Sequence, residues 1–272
     1  MPTTKVGDTS IYYEVHGKGE PLLLIMGYSF YSGHWFPAVD YLSQEYCVIT
    51  FDNRGTGRSD KPDMPYTMEM MAADLGGLLE TIGVGAAHVF GVSMGGMIAQ
   101  HFALHYPEKV ISLVLGCTMY GGQHSIIPDT EAMSALFDME RMQRLTPEEM
   151  MRDLLPFLFS QVFIDSNRVF IEQFIAKTTE YVTPLHSYVS QAAAIGEHDT
   201  YERLPEIKVP TLVIAGGADR LIPVENSRLL ASRIPQTELV ILKNMGHGFW
   251  VEAETEANKV VLDFLKRHRR SR

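Results

Sequence analysis

The chain has 272 residues, 46% of them hydrophobic, enough for one large α/β domain with a sizeable core. Asp and Glu number 33 against 23 Lys and Arg, and the resulting charge of −10 excludes a nucleic-acid backbone as partner, since phosphate contacts need excess cations. No apolar run reaches the ~20 residues that span a bilayer, and Met1-Pro2-Thr3-Thr4-Lys5 carries no apolar secretion signal, so the expectation is a cytoplasmic protein without a membrane span.

Residues 3–6 and 10–16 flank Gly7-Asp8-Thr9, a hairpin signal, with His16 as a turn-associated side chain. Residues 21–26 form a continuous apolar run, as expected of a strand buried on both faces. The loop Gly27-Tyr28-Ser29-Phe30-Tyr31-Ser32-Gly33 follows at the carboxyl end of that strand, where α/β sheets place their sites. Residues 34–44 read as a helix and 46–51 as a second buried strand. Asp52-Asn53-Arg54-Gly55-Thr56-Gly57-Arg58-Ser59-Asp60 is then a Gly-rich turn without either phosphate-binding glycine pattern, read as a tight turn fixed by Asp52 and Arg54. Thr67 caps a helix over 68–82 that Gly83 ends.

Residues 88–99 are organised as strand, sharp turn and helix around Gly91-Val92-Ser93-Met94-Gly95. A serine on such a turn is held above the sheet, and glycines flank it because a Cβ would collide there. The N–H of Met94 lies at a helix N-terminus, where developing negative charge is stabilised. His101 and His105 on this helix have the spacing of a metal pair. Phe102 stands where the zinc-protease pattern needs glutamate, so a structural role is expected. Residues 110–115 read as the next strand. Cys47 and Cys117 lie in apolar strand-like runs and read as reduced core residues.

From residue 120 to 205 the buried strand runs stop. Helical patterns follow at 130–144, 147–159, 167–181 and 184–195, with a capping box at Thr146-Pro147-Glu148-Glu149. This stretch is expected to be a helical cap inserted into a core formed by 1–119 and 206–272. Beyond it come a strand at 209–215, Gly216-Gly217-Ala218-Asp219-Arg220, a helix at 223–234, a strand at 238–242, the loop 244–250 with Gly246-His247-Gly248, and a closing helix at 254–267. The basic run Lys266-Arg267-His268-Arg269-Arg270 reads as a solvated helix end.

A serine hydroxyl is a weak nucleophile near pH 7 and needs a base, which in turn needs a partner fixing its tautomer. Ser93, Asp219 and His247 each lie in a glycine-lined loop after an expected strand, and in that order they suit nucleophile, acid and base. The pieces quoted above, with Tyr106-Pro107-Glu108-Lys109-Val110 and Val209-Pro210-Thr211-Leu212, resemble the α/β-hydrolase superfamily along essentially the whole chain, in its serine carboxylesterase and enol-lactonase-like branch. The resemblance implies an α/β fold with a mostly parallel eight-stranded sheet flanked by helices. It implies an oxyanion hole from the N–H groups of Tyr28 and Met94, and no metal or organic cofactor. Many relatives have His-Gly where this chain has Met26-Gly27, which leaves open how that loop is braced. The expected pocket lining is Gly27, Tyr28, Phe30, Met119, Phe137, Met142, Phe159 and Phe249.

The expected activity is hydrolysis of a carboxylic ester or lactone with an apolar moiety, by a monomer or homodimer. The serine at the turn sets aside the dehalogenases and epoxide hydrolases of this fold, which resemble it in layout but use aspartate there. One alternative is a C–C bond hydrolase or enol-lactonase of aromatic degradation, with Arg54, Arg58 or a cap residue holding a substrate carboxylate. Another is a ligand-sensing protein of the same fold with very slow turnover, and a cofactor-free peroxidase is a minor one.

Overall fold

The computed structural model describes residues 2–270. Eight strands form one sheet: β1 (Thr3–Val6), β2 (Thr9–His16), β3 (Pro21–Ile25), β4 (Cys47–Phe51), β5 (Ala87–Val92), β6 (Val110–Gly116), β7 (Thr211–Gly216) and β8 (Thr237–Leu242). Their spatial order is β1-β2-β4-β3-β5-β6-β7-β8. β1 and β2 form the expected hairpin and β2 runs antiparallel to β4, while every pair from β4 to β8 is parallel. The central strands are continuous apolar runs because both faces are covered. Leu22 and Leu24 face a core with Trp35, while Leu23 and Ile25 face the opposite core with Met97 and Phe102.

The helices are α1 (Phe36–Leu42), α2 (Met68–Thr81), α3 (Met94–His105), α4 (Thr130–Phe137), α5 (Met139–Met142), α6 (Pro147–Leu158), α7 (Gln161–Ser166), α8 (Arg168–Glu180), α9 (Leu185–Glu197), α10 (Val224–Arg233), α11 (Phe249–Glu252) and α12 (Glu254–Arg267). The Thr67 hydroxyl accepts from the N–H of Met70, and Thr146 with Glu149 closes the capping box of α6. Three local departures from the expected elements have visible causes. The helix expected over 130–144 is broken, because the Asp138 carboxylate accepts from the N–H of Arg141 and starts α5 afresh. Ser160 caps the unexpected α7 in the same way. The loop expected over 244–250 winds into α11 from Phe249 onward.

The stretch between β6 and β7 is helical, and its ends are stitched together. Gly121 bridges Asp199, the N–H of Gly122 donates to His198 O at 3.0 Å, and the N–H of Thr200 donates to Tyr120 O at 2.8 Å. No helix among the described residues is long and apolar enough to cross a membrane. Both cysteines are free, Cys117 buried and Cys47 half-buried. The basic C-terminal run is paired with acids: Lys266 with Glu45, Arg267 with Glu238, and Arg269 with Glu45.

Candidate active site

Ser93 follows β5 directly and precedes α3, with φ 55° and ψ −125°. A side chain in this positive-φ region costs ~1–3 kcal/mol and persists only when its surroundings enforce it. The surroundings do so here. A Cβ on Gly91 would run into the carbonyl of Gly95, and one on Gly95 into the carbonyl of Ile25. The turn is also tied to the end of β6. The N–H of Ser93 donates to Gly116 O at 2.9 Å, and the Thr118 hydroxyl donates to Ser93 O at 2.7 Å.

The loop after β3 crosses directly in front of this serine. A Cβ on Gly27 would lie 3.0 Å from Ser93 Cβ and 3.5 Å from its Oγ. Asn53 Nδ2 donates to Met26 O at 2.9 Å, which is the brace that the absent histidine left open. A second brace comes from α9: the N–H of Ser29 donates to Gln191 Oε1 at 2.9 Å, and Gln191 Nε2 donates to Arg54 O at 3.0 Å. Among the described residues no hydrogen bond uses the N–H of Tyr28 or of Met94. Met94 is the first residue of α3, where N–H groups have no intrahelical acceptor and carry the positive end of the helix dipole.

Asp219 and His247 arrive from the loops after β7 and β8. Asp219 Oδ1 accepts from the N–H of Leu221 at 2.8 Å and of Ile222 at 2.9 Å. Its Oδ2 lies 2.8 Å from His247 Nδ1, and both residues are buried. A carboxylate only accepts, so Nδ1 carries the proton and Nε2 is left as the basic nitrogen. Burial alone would push the imidazole down. The charge of Asp219 and its hydrogen bond outweigh that and hold His247 well above its ordinary value. The Cys117 sulfur lies beside this pair, all three donor atoms within 4.8 Å of one another. Burial pushes that thiol up, and the sulfur adds to the upward pull that Asp219 exerts on His247. No hydrogen bond joins the Ser93 hydroxyl to His247, yet both residues line one cavity.

That cavity holds about 480 Å³. Gly27, Tyr28, Phe30, Met119 and Phe137 line it, while Met142 lines a smaller adjoining chamber instead. Phe159 and Phe249 lie outside the lining, contrary to expectation. Phe249 starts α11, which turns it into the core at 0% exposure, and Phe159 packs edge-on against Phe174, with ring centroids 5.3 Å apart. Sequence reasoning missed Met97, Met133, Leu136, Leu154, Ile195 and Trp250. Two of them had a local signal: Met97 is one helical turn beyond Ser93, and Trp250 is three residues beyond His247. Among the described residues no Lys, Arg, Asp or Glu lines the cavity.

The other residues of interest are elsewhere. Arg54 grips Asp74 through Nε at 2.6 Å and Nη2 at 2.7 Å, so it does not fix the turn it sits in. Arg58 pairs with Asp52 and Glu14, and Asp52 also accepts from Ser32, so Asp52 does fix the turn. His101 and His105 lie side by side with ring centroids 5.9 Å apart, but their Nε2 atoms face other partners: His101 Nε2 lies 3.1 Å from His198 Nδ1, and Arg203 Nη1 lies 3.1 Å from His105 Nε2, in keeping with the expected structural role.

A family model described as alpha/beta hydrolase fold matches residues 20–253. A protein of Azorhizobium caulinodans, provisionally named the carbamate hydrolase RutD, is 31% identical over 268 residues, covering 97% of this chain and 98% of that one. The enol-lactonase from Burkholderia xenovorans LB400 superposes with a TM-score of 0.85 at 26% identity, covering 97% of this chain and 100% of that one. A thermophilic esterase from Thermogutta terrifontis superposes with a TM-score of 0.84 at 28% identity, covering 98% and 97%.

Proposed function

The chain belongs to the alpha/beta hydrolase family, and on that premise we propose that it cleaves carboxylic esters or lactones with an apolar moiety through Ser93, His247 and Asp219. The observation that carries this reading is one cavity with Ser93 and His247 on an otherwise largely apolar wall. The names of the relatives cover a carbamate, an enol-lactone and esters, which share a carbonyl with a heteroatom leaving group.

The chemistry follows from the geometry. His247 Nε2 takes the proton of the Ser93 hydroxyl as Oγ attacks the substrate carbonyl, the contact closing once substrate seats the hydroxyl. The oxyanion is met by the free N–H groups of Tyr28 and Met94. Asp219 holds His247 Nδ1–H throughout. The imidazolium then protonates the leaving alkoxide as the C–O bond breaks and an acyl-Ser93 ester remains. A water deprotonated by His247 attacks that ester, and the serine leaves with the proton. The helical stretch between β6 and β7 serves as a cap, since Met133, Phe137 and Leu154 from it complete the cavity wall.

The alternative with a carboxylate-bearing dienoate or enol-lactone finds less support, because among the described residues no Lys or Arg lines the cavity and Arg54 and Arg58 are committed to acids. A fluorophosphonate should label wild-type protein at Ser93, and Ser93→Ala should lose nearly all turnover of p-nitrophenyl esters while staying folded. Turnover retained by Ser93→Ala refutes the assignment. A single burst followed by a persistent acyl-enzyme favours the slow ligand-sensing alternative.

A further inference from the structure

The cavity in front of Ser93 has a neighbour. A chamber of about 50 Å³ adjoins it, and Tyr28, Phe30, Leu136 and Leu154 line both. The small chamber differs in chemistry from the large one. Two of its polar atoms, His34 Nε2 and Thr178 Oγ1, are buried and have no hydrogen-bond partner. Three other hydroxyls of the lining are spent: Tyr28 donates to Tyr188 O, Tyr31 to Glu180, and Thr183 to Ser29 O.

The protonation of His34 is fixed by its contacts. Its Nδ1 lies 3.2 Å from Tyr31 O, and a carbonyl only accepts, so Nδ1 carries the hydrogen and Nε2 is a bare acceptor. His34 is 1% exposed, and burial lowers it to about 4, so this tautomer persists at neutral pH. Phe30 stacks on the imidazole with ring centroids 4.4 Å apart and forms part of the partition between the chambers. Thr178 offers a hydroxyl that both donates and accepts. Leaving such groups dry and unbonded is costly, so the chamber favours an occupant that meets both. A carboxylate has no proton for Nε2, and an ammonium would bury a charge where no Asp or Glu among the described residues lines the chamber to pair it. An alcohol does both.

We propose that the small chamber is a subsite for a hydroxyl carried on the substrate chain, remote from the scissile carbonyl. The preferred substrates are then uncharged esters or lactones with an apolar spacer ending in an alcohol. The proposal rests on the hydrolase reading for its catalytic form, and on His34 and Thr178 for the subsite itself.

The test is a series of p-nitrophenyl esters of increasing chain length, each with and without a terminal hydroxyl. Its readout is the ratio of kcat/KM, hydroxylated over plain, within one protein. At one chain length wild type should favour the hydroxylated ester roughly tenfold, the scale of one or two net hydrogen bonds. Thr178→Val should bring that ratio near one, and Thr178→Ser should restore it. A ratio near one at every length in wild type, as expected if the chamber holds only water, overturns the proposal. So does a high ratio that Thr178→Val leaves intact. The Ser93→Ala protein gives a second readout free of turnover: methyl ω-hydroxyalkanoates should raise its Tm more than the matching methyl alkanoates, and equal shifts overturn the subsite. Loss of all ester turnover in wild type would sink the hydrolase reading, while the melting comparison would still decide the subsite.

Discussion

Replacing Ser93 with glycine should stabilise the fold while it abolishes turnover. The side chain stands at φ 55°, ψ −125°, where a Cβ costs ~1–3 kcal/mol. Glycine removes that strain and gives back ~0.5–1 kcal/mol through the greater freedom of the unfolded chain. Among the described residues the Ser93 hydroxyl has no hydrogen-bond partner, so its loss subtracts little. The net gain is roughly 0.5–2 kcal/mol, or about 1–4 °C in Tm for a chain of this size. Ser93→Ala is the control, since it loses the hydroxyl but keeps the Cβ and the strained backbone. Urea unfolding followed by circular dichroism and by fluorescence of Trp35 and Trp250 gives the three stabilities, with coincident transitions as the check on two-state behaviour. A glycine variant no more stable than the alanine variant would refute the claim that the turn holds strain for the sake of the serine.

Other consequences are as direct. Gly27→Ala would bring a Cβ within 3.0 Å of Ser93 Cβ and narrow the approach to Ser93 Oγ, so kcat/KM for a p-nitrophenyl ester should fall at least tenfold with little change in Tm. The rate with a neutral ester should rise with pH, because His247 must lose its proton to act as base, and the inflection should lie above the ordinary ~6.5. The same raised value adds stability that is complete below the unfolded value of ~6.5 and lost as pH climbs through the folded one; an inflection at or below 6.5 contradicts both statements. Arg54→Met strands the buried Asp74 carboxylate, which burial already pushes up, and should cost about 3–5 kcal/mol in urea unfolding; Arg54→Met with Asp74→Leu should recover most of it, and equal losses in both would contradict the pairing argument.

What was legible in the chain follows from what is locally encoded. The parallel strands are buried on both faces and so read as unbroken apolar runs, as in Leu22-Leu23-Leu24-Ile25. The turn at Ser93 needs its glycines for reasons that lie within five residues, and the loops bearing Asp219 and His247 follow strands that announce themselves. The cavity wall was harder to read. Phe249 is expected in the pocket, but α11 rotates it into the core and presents Trp250 instead. The small chamber was invisible, because His34 and Thr178 lie far apart in sequence and each is unremarkable alone. The brace from Gln191 to Ser29 likewise depends on a helix whose docking no local pattern specifies.

The pinning of residues 120–122 against 198–200 carries an evolutionary implication. Entry and exit of the helical stretch lie side by side, so a stretch of different length or shape can replace it without moving a strand of the sheet. Closing a longer excursion between two fixed posts costs only a slowly growing entropy. Ligand preference can therefore drift by exchange of this one cassette, while the serine, its base and its acid stay where the sheet holds them.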